Sequence, residues 1–426
     1  MSRQNRPDIH TFGCRLNIWE SEVMRRHAEN AGLNDVVIIN TCAVTQEAER
    51  QARQTVRRLR RQRPEARIVL TGCAVQIDPS GWAEMKEADI ILGNEDKLQA
   101  ESWQRLASDQ LAAQQVSDIM QIRQLASHFT GQFDDHTRGF LQIQQGCDHR
   151  CTFCIIPYGR GPSRSVPIQD VVASIKDMVA NGIKEIVLSG VDITSWGQDL
   201  PLQPRLGQLV QVILRDVPEL PRLRLSSVDP AEPDHALMEV LSSEARFMPH
   251  LHLSVQHGDD VILKRMKRRH LARDVIRFCD EARRRRPDLV FGADFIAGFP
   301  TETQMAHQAS KELIKKAGLC YLHIFGFSAR EHTPAAKMPQ LDRETIKSRV
   351  HDLRQLGAEQ LKAHLHSRVN SHDMMLVEKG GKGHLAGFEK ARFVSPQTGA
   401  QTGQLIPVRI LSAHEDVLDV TYLSPA

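Results

Sequence analysis

DVVIINTC at 35–42 and RIVLTGC at 67–73, with an arginine-rich run between them, set the architecture of the first part of the chain. Both are short, continuous, β-branched apolar runs, the pattern of strands buried on both faces of a parallel sheet. Between them Ala48, Ala52, Val56 and Leu59 recur at spacings of four, four and three, which traces one helix face. The whole reads as a βαβ unit in which each strand ends in a cysteine. A weaker strand, DIHTFGC, ends at Cys14 one unit earlier. The intervals from Cys14 to Cys42 and from Cys42 to Cys73 are 28 and 31 residues, matching the ~30 residues of a βαβ unit. Parallel strands put their carboxyl ends on one edge, where α/β sheets place their sites. Three cysteines distant in sequence are therefore expected to meet in space. The bland alternative is three unrelated buried cysteines, since free cysteine is often buried. The turn-like contexts GCRLN, TCAVT and GCAVQ argue against it.

The chain has 426 residues, enough for two to four domains at ~100–200 residues each. It is 41% hydrophobic and 25% charged, which excludes collagen-like, mucin-like and wholly disordered classes. No apolar run approaches the ~20 residues that span a bilayer. MSRQNRPDIHTFG lacks the apolar core of a signal peptide. A cytoplasmic protein with no membrane association is expected. The net charge of +3 does not announce a nucleic-acid binder, although the basic residues cluster at 57–63, 264–269 and 283–286. Such clusters are either solvated helix faces or phosphate contacts. Aromatics are only 5%, too few for an extensive base-stacking platform. The eight cysteines point to metal or catalytic use, because cytosolic thiols stay reduced.

Residues 1–111 form the first α/β domain in this reading, 112–132 a linker, 133–369 a second α/β domain and 370–426 a small β domain. The second array offers six candidate strands: GFLQIQQG, KEIVLSG, RLRLSS, HLHLSVQ, LVFGADFIAG and YLHIFGF. Its first connecting helix is marked by Ile168, Val171, Val172, Ile175, Met178 and Val179 on one face, and Asn181-Gly182 stops it. Six strands with intervening helices imply a parallel sheet, open or curled into a partial (βα)6 barrel, with right-handed crossovers. From 370, short strands with glycine-containing turns read as a small antiparallel sheet or barrel. Its five Lys/Arg and six Asp/Glu give no charge argument for RNA binding. Thr301 with Gln304 reads as a capping box. Cys279 and Cys320 read as structural.

The strongest local motif is GCDHRCTFC, with Cys147, Cys151 and Cys154 in Cys-x3-Cys-x2-Cys spacing. Three thiolates in eight residues can wrap an iron–sulfur cubane, which normally takes four. The missing fourth leaves a coordination site open to a substrate or cofactor. Zinc would want four ligands and would recruit His149. A redox dithiol of Cys151 and Cys154 would leave Cys147 idle. Cys14, Cys42 and Cys73 make a second trio with no fourth cysteine.

GCDHRCTFCIIPYGRGPSRS resembles the cluster loop of radical S-adenosylmethionine (SAM) enzymes, and IIPYGRGPSRS that of the methylthiotransferases among them. NTCAVTQEAE and TGCAVQ are similar to that family's auxiliary-cluster domain. HLHLSVQHGDDVILKRMKRRH, GADFIAGFPTET and HTPAAKMP resemble its MtaB branch, and the last domain falls where the family has a TRAM domain. Two stretches depart. The family's SPRPGTPAA reads SAREHTPAA here, lacking a proline and a glycine, so the loop around Ala329–Thr333 is expected to differ in shape. SVQHG has His257 where the family often has serine.

The resemblance implies two 4Fe–4S clusters, one on Cys147, Cys151 and Cys154 that binds and cleaves SAM, and one on Cys14, Cys42 and Cys73 that carries the transferred sulfur. SAM contacts are expected from Ser189, Gly190, Ser254, Gln256, Asp294 and Gly298 at strand ends, where the alternative is ordinary turn chemistry. The implied reaction is methylthiolation of C2 of N6-threonylcarbamoyladenosine at position 37 of tRNA. Isopentenyladenosine in tRNA or an aspartate of a ribosomal protein are the other substrates within the family, and a non-catalytic iron–sulfur RNA-binding regulator is the rival from another class. Arg53, Arg57 and Arg60 become candidate RNA contacts. The implied partners are tRNA and an electron donor such as a flavodoxin or ferredoxin, and a monomer is expected.

Overall fold

The computed structural model describes residues 6–123, 137–231, 234–395 and 400–423. It divides into two compact units. The first gathers the described residues of Met1–Phe129, Gln142–Val166 and Ser328–Ala336. The second takes those of Thr130–Leu141, Pro167–Phe327 and Lys337–Ala426.

The first unit is built on a parallel sheet of β1 (Asp8–Thr11), β2 (Val36–Thr41), β3 (Arg67–Gly72), β4 (Ile90–Leu92) and β5 (Gln114–Gln115), in that order. All six residues of β2 are buried, as its unbroken apolar run requires. Successive side chains alternate between the sheet's faces. Val37 and Ile39 join one core cluster with Ala52, Val56 and Leu59, whereas Val36 and Ile38 join another with Met24 and Trp103. The helix Gln46–Gln62 starts where Thr45 accepts from the Ala48 N–H, with Glu47 and Glu49 in its first turn, both favourable at a helix N-terminus. β5 lies inside the segment expected to link domains; the rest of that segment from residue 124 is outside the described residues.

In the second unit one sheet orders the strands Arg222–Leu225, Glu185–Ser189 and Arg138–Gln142. Another orders Ser227–Val228, His250–Gln256, Val290–Ala297 and Leu319–Gly326, all parallel. The chain passes from one sheet to the other at Ser226, so the two make one array of the six expected strands. The helix Ile168–Ala180 buries Val171, Val172, Ile175 and Met178 and stops at Asn181-Gly182, as expected. The helix Arg343–Ser367 lies along Leu319–Gly326, with Gly357 against Leu322.

The last strands, His372–Val377, Lys382–His384, Lys390–Phe393, Leu405–His414 and Val417–Tyr422, close into a small barrel. Four of its seams are antiparallel; Lys390–Phe393 pairs with Val417–Tyr422 in parallel. This barrel is fastened to the larger array by two buried arginines. Arg222 donates to the carbonyls of Met374 and His384, and Arg224 to that of Ala386. Glu185, also buried, binds both guanidiniums. Burial opposes ionisation of Glu185, yet Arg224 and Arg222 hold its pKa down at about 2.

Candidate active site

The three distant cysteines converge. Cys14 caps the helix Arg15–Asn30 after β1, Cys42 follows β2, and Cys73 opens the short helix Cys73–Ile77 after β3. Each thiol lies within electrostatic reach of the other two. The approach is close enough to demand glycine. A Cβ on Gly13 (φ +95°) would stand 2.8 Å from Cys42 Sγ, and one on Gly72 (φ +102°) 2.3 Å from the Thr41 backbone. Cys14 is exposed, while Cys42 and Cys73 are buried. Burial pushes the Cys42 thiol up to about 12.

Around this trio runs a buried polar network. Arg160, at the end of the helix Ile156–Arg160, donates from Nε to Cys73 Sγ at 3.0 Å. Asn94 Nδ2 adds a longer N–H···S contact to Cys73 (3.7 Å) and donates to the Gly159 carbonyl at 2.6 Å. Asn17 ties the strand ends together, donating to the carbonyls of Phe12 and Thr41. Glu20 pairs with both Arg160 and Lys97, all three fully or nearly fully buried. Burial would raise the Glu20 pKa, but Arg160 and Lys97 hold it below the usual carboxylate range. Burial likewise opposes the charge on Arg160, and Cys73 and Glu20 overcome it. Three sulfur donors, with N–H groups rather than further ligands beside them, suit an iron–sulfur cluster better than a structural zinc, which wants four donors.

The local trio sits in a tightly closed loop of the same unit. Cys147 N–H donates to the Gly161 carbonyl, Ser163 N–H to Asp148, and Cys154 N–H to the Cys151 carbonyl. Antiparallel pairing of Gln144–Gln145 with Arg164–Ser165 closes its neck. A ring nitrogen of His149 lies within 4.8 Å of Cys147 Sγ. The Ser328–Ala336 segment packs against both parts of this unit. Ala335 N–H donates to the Thr152 carbonyl between the cysteines, and Arg330 pairs with Glu49 of NTCAVTQEAE. His332 adopts φ +70°. The backbone is thus left-handed at the position where the family has glycine, although the residue here is histidine, a conformation costing ~1–3 kcal/mol.

In the second unit the expected SAM residues lie at or beside strand ends. Ser189 is buried at the end of Glu185–Ser189 and Gly190 follows it. Ser254 lies within a register shift between Leu253 and Gln256, with Gln256 at φ +74°. Asp294 Oδ1 is bound by His252 Nε2 at 2.9 Å and His323 Nδ1 at 3.1 Å, which hold its carboxyl well below the usual range against the effect of burial. Gly298 (φ +76°) has the side chain of Ile346 where a Cβ would be. The N–H groups of Gly298 and Phe299 donate to Glu302, which His257, His307 and Arg349 surround. The capping box expected of Thr301 and Gln304 is absent. Thr303 caps the helix Gln304–Lys316, because Thr301 sits at φ +68° two residues too early and accepts from Arg265. Cys279 and Cys320 are buried, each pushed up to about 12 by desolvation.

Of the three arginines singled out for RNA, Arg57 stands on the exposed face beside Arg58 and Arg61. Arg53 stacks over Trp82, its guanidinium carbon 4.1 Å from the ring centroid. Arg60 is committed to the carbonyls of Glu87, Pro64 and Ala66 and to Asp89.

Glu20, Lys97, Asn94 and Arg160 were not singled out by sequence reasoning. A signal existed for one of them: Leu16, Glu20 and Met24 share a helix face four residues apart, and all are buried, so a carboxylate interrupts an apolar stripe and needs a partner.

Residues 6–93 match the uncharacterised protein family UPF0004 and residues 141–314 the Radical SAM superfamily. The chain is 48% identical over 388 residues to the threonylcarbamoyladenosine tRNA methylthiotransferase MtaB of Rickettsia prowazekii (strain Madrid E), covering 91% of each. It is 32% identical over 443 residues to a tRNA-2-methylthio-N(6)-dimethylallyladenosine synthase of Cereibacter sphaeroides, covering 97% of each. In fold it resembles the radical S-adenosylmethionine methyltransferase TsrM of Kitasatospora setae, with a TM-score of 0.54 at 15% identity, over 84% of this chain and 72% of that one. With identity this high along nearly its whole length to an MtaB enzyme, the chain belongs to the radical SAM methylthiotransferase family, on its MtaB branch.

Proposed function

We propose that this protein replaces the C2 hydrogen of N6-threonylcarbamoyladenosine, at position 37 of tRNA, with a methylthio group. The margin of identity carries the choice of substrate: 48% to a relative named for threonylcarbamoyladenosine against 32% to one named for dimethylallyladenosine. An aromatic C–H bond offers no acidic proton, so side-chain acid–base chemistry is insufficient and a cofactor must carry the step. Cys147, Cys151 and Cys154 would hold one 4Fe–4S cluster with SAM on its open iron, and Cys14, Cys42 and Cys73 a second. Bound there, these groups supply hydrogen-atom abstraction, the inserted sulfur and the methyl group.

The chain's own residues do the rest. The Cys42 thiol, pushed up by burial, must lose its proton on loading, so assembly of the second centre releases protons. Asn94 and Arg160 supply N–H donors to Cys73. Asp294, kept anionic between two histidines, is an acceptor for a hydroxyl or ammonium group of SAM. Glu302 fixes the left-handed backbone at Gly298, at the end of a strand of the array; Ser189, Gly190, Ser254 and Gln256 complete the set. Arg57, with Arg58 and Arg61 beside it, presents positive charge to tRNA phosphates; Arg53 and Arg60 support the surface from within. A flavodoxin- or ferredoxin-like donor would supply electrons to a monomer in the cytoplasm. Among the described residues no helix is long and apolar enough to cross a membrane.

Mass spectrometry of tRNA nucleosides from a strain lacking this protein tests the reading. Loss of 2-methylthio-N6-threonylcarbamoyladenosine with accumulation of its unmodified parent is expected. Loss of a methylthiolated isopentenyladenosine instead would move the enzyme to the other tRNA substrate.

A further inference from the structure

Arg160 is buried, 1% exposed, and spends its guanidinium on four side chains. Nε donates to Cys73 Sγ at 3.0 Å. Nη1 donates to Glu20 and to Gln145 Oε1 at 2.9 Å. Nη2 donates to Asn17 Oδ1 at 2.6 Å and to Glu20 Oε2 at 3.1 Å. Lys97, 0% exposed, binds the same Glu20 at 2.7 Å and the side chains of Asn40 and Asn94. Two buried cations thus share one buried carboxylate. The other buried charges nearby are otherwise occupied: Asp96 accepts from the N–H and hydroxyl of Ser117, and Glu95 lies in reach of Arg164.

A buried charge without compensation costs several kcal/mol. The two cations that share Glu20 lie beside three converging sulfurs, an arrangement that suits an anionic occupant. Three thiolates on an oxidised 4Fe–4S cubane carry about one net negative charge, and reduction adds another. Hydrogen bonds to cluster sulfur and nearby positive charge favour the reduced state.

We infer that Arg160, contributed by the loop of the local trio, is a positioning residue for the distant one: it fixes Cys73 and, with Lys97 against Glu20, sets the reduction potential of the centre that Cys14, Cys42 and Cys73 hold. The inference rests on the two-cluster reading above. Its signature is a pair of opposite effects. Removing the cation lowers that centre's potential, and removing the neighbouring anion raises it. A merely structural role predicts no such opposition.

The experiment uses the full chain with Cys147, Cys151 and Cys154 changed to Ala, reconstituted anaerobically, so that iron reports on the distant trio alone. About four irons per chain sustains the two-cluster reading; their absence sinks that reading, whatever Arg160 does. In this background Arg160→Gln and Glu20→Gln are titrated against a redox dye series and followed by electron paramagnetic resonance. At the parent's midpoint, Arg160→Gln is expected to shift the reduced-to-oxidised ratio tenfold toward oxidised, a 59 mV fall for one electron. Glu20→Gln is expected to shift it toward reduced. Arg160→Lys, which keeps the charge, should fall between Arg160→Gln and the parent. Unchanged potentials, or shifts of the same sign in Arg160→Gln and Glu20→Gln, overturn the inference. Should Arg160→Gln fail to load, Glu20→Gln decides alone, a rise supporting the inference and no rise overturning it.

Discussion

Replacing Glu185 with Gln should weaken the second unit at neutral pH by an amount the structure lets us bound. The carboxylate is fully buried and is the acidic partner of Arg222 and Arg224, which are themselves buried. Deleting one partner of such a cluster costs ~3–5 kcal/mol, because the charges left behind have no compensation. An independent figure comes from ionisation. The pKa of Glu185 falls from the ordinary 4.5 to about 2 on folding, and at 1.36 kcal/mol per pKa unit this is worth ~3 kcal/mol. The sign follows from the direction. A depressed folded-state pKa gives stability that is complete above about 4.5 and is lost as pH falls toward about 2. Wild type and Glu185→Gln should therefore differ by ~3 kcal/mol at pH 7, and the gap should close as the pH is lowered through that window. Urea titrations read by hydrogen-exchange mass spectrometry on peptides covering 185–189 and 374–386 would isolate this unit from the other. A variant as stable as wild type at pH 7, or a gap that persists undiminished at pH 3, would refute the charge-cluster account.

Cys42→Ala should hold about four irons fewer per chain than wild type after reconstitution, and iron assay with sulfide determination checks it. Reversing Arg57, Arg58 and Arg61 together to Glu should weaken tRNA binding and flatten its dependence on log salt concentration by about one unit of slope per lost contact, seen by filter binding across a salt series. Arg60→Glu should instead lower thermal stability, since its partners are internal. Glu302→Gln should raise the SAM concentration needed for half-maximal 5′-deoxyadenosine release severalfold while leaving iron content unchanged, because it loosens the backbone at Gly298.

The trio of distant cysteines was legible because one number, the length of a βαβ unit, converts sequence spacing into spatial coincidence. The helix Gln46–Gln62 and the strand ending at Thr41 were legible for the same kind of reason: their periodicities match what a doubly covered sheet buries. What surrounds the trio was not legible. Arg160 reaches Cys73 across 87 positions of chain, and no local pattern encodes such a meeting. Thr301 was misread because Thr301 and Thr303 both resemble caps in sequence; a left-handed backbone at Thr301 decides between them. His332 shows the converse. A residue type that looks disqualifying for a glycine position is accommodated when hydrogen bonds such as Thr333 to the Arg330 carbonyl secure the turn.

The fastening of the C-terminal barrel reaches beyond this chain. Arg222 and Arg224 grip main-chain oxygens at Met374, His384 and Ala386, and every amino acid presents the same oxygen. Substitutions can accumulate across that module's outer face without disturbing its anchorage, so descendants of one ancestral scaffold are free to retool what the module touches while its seat stays the same.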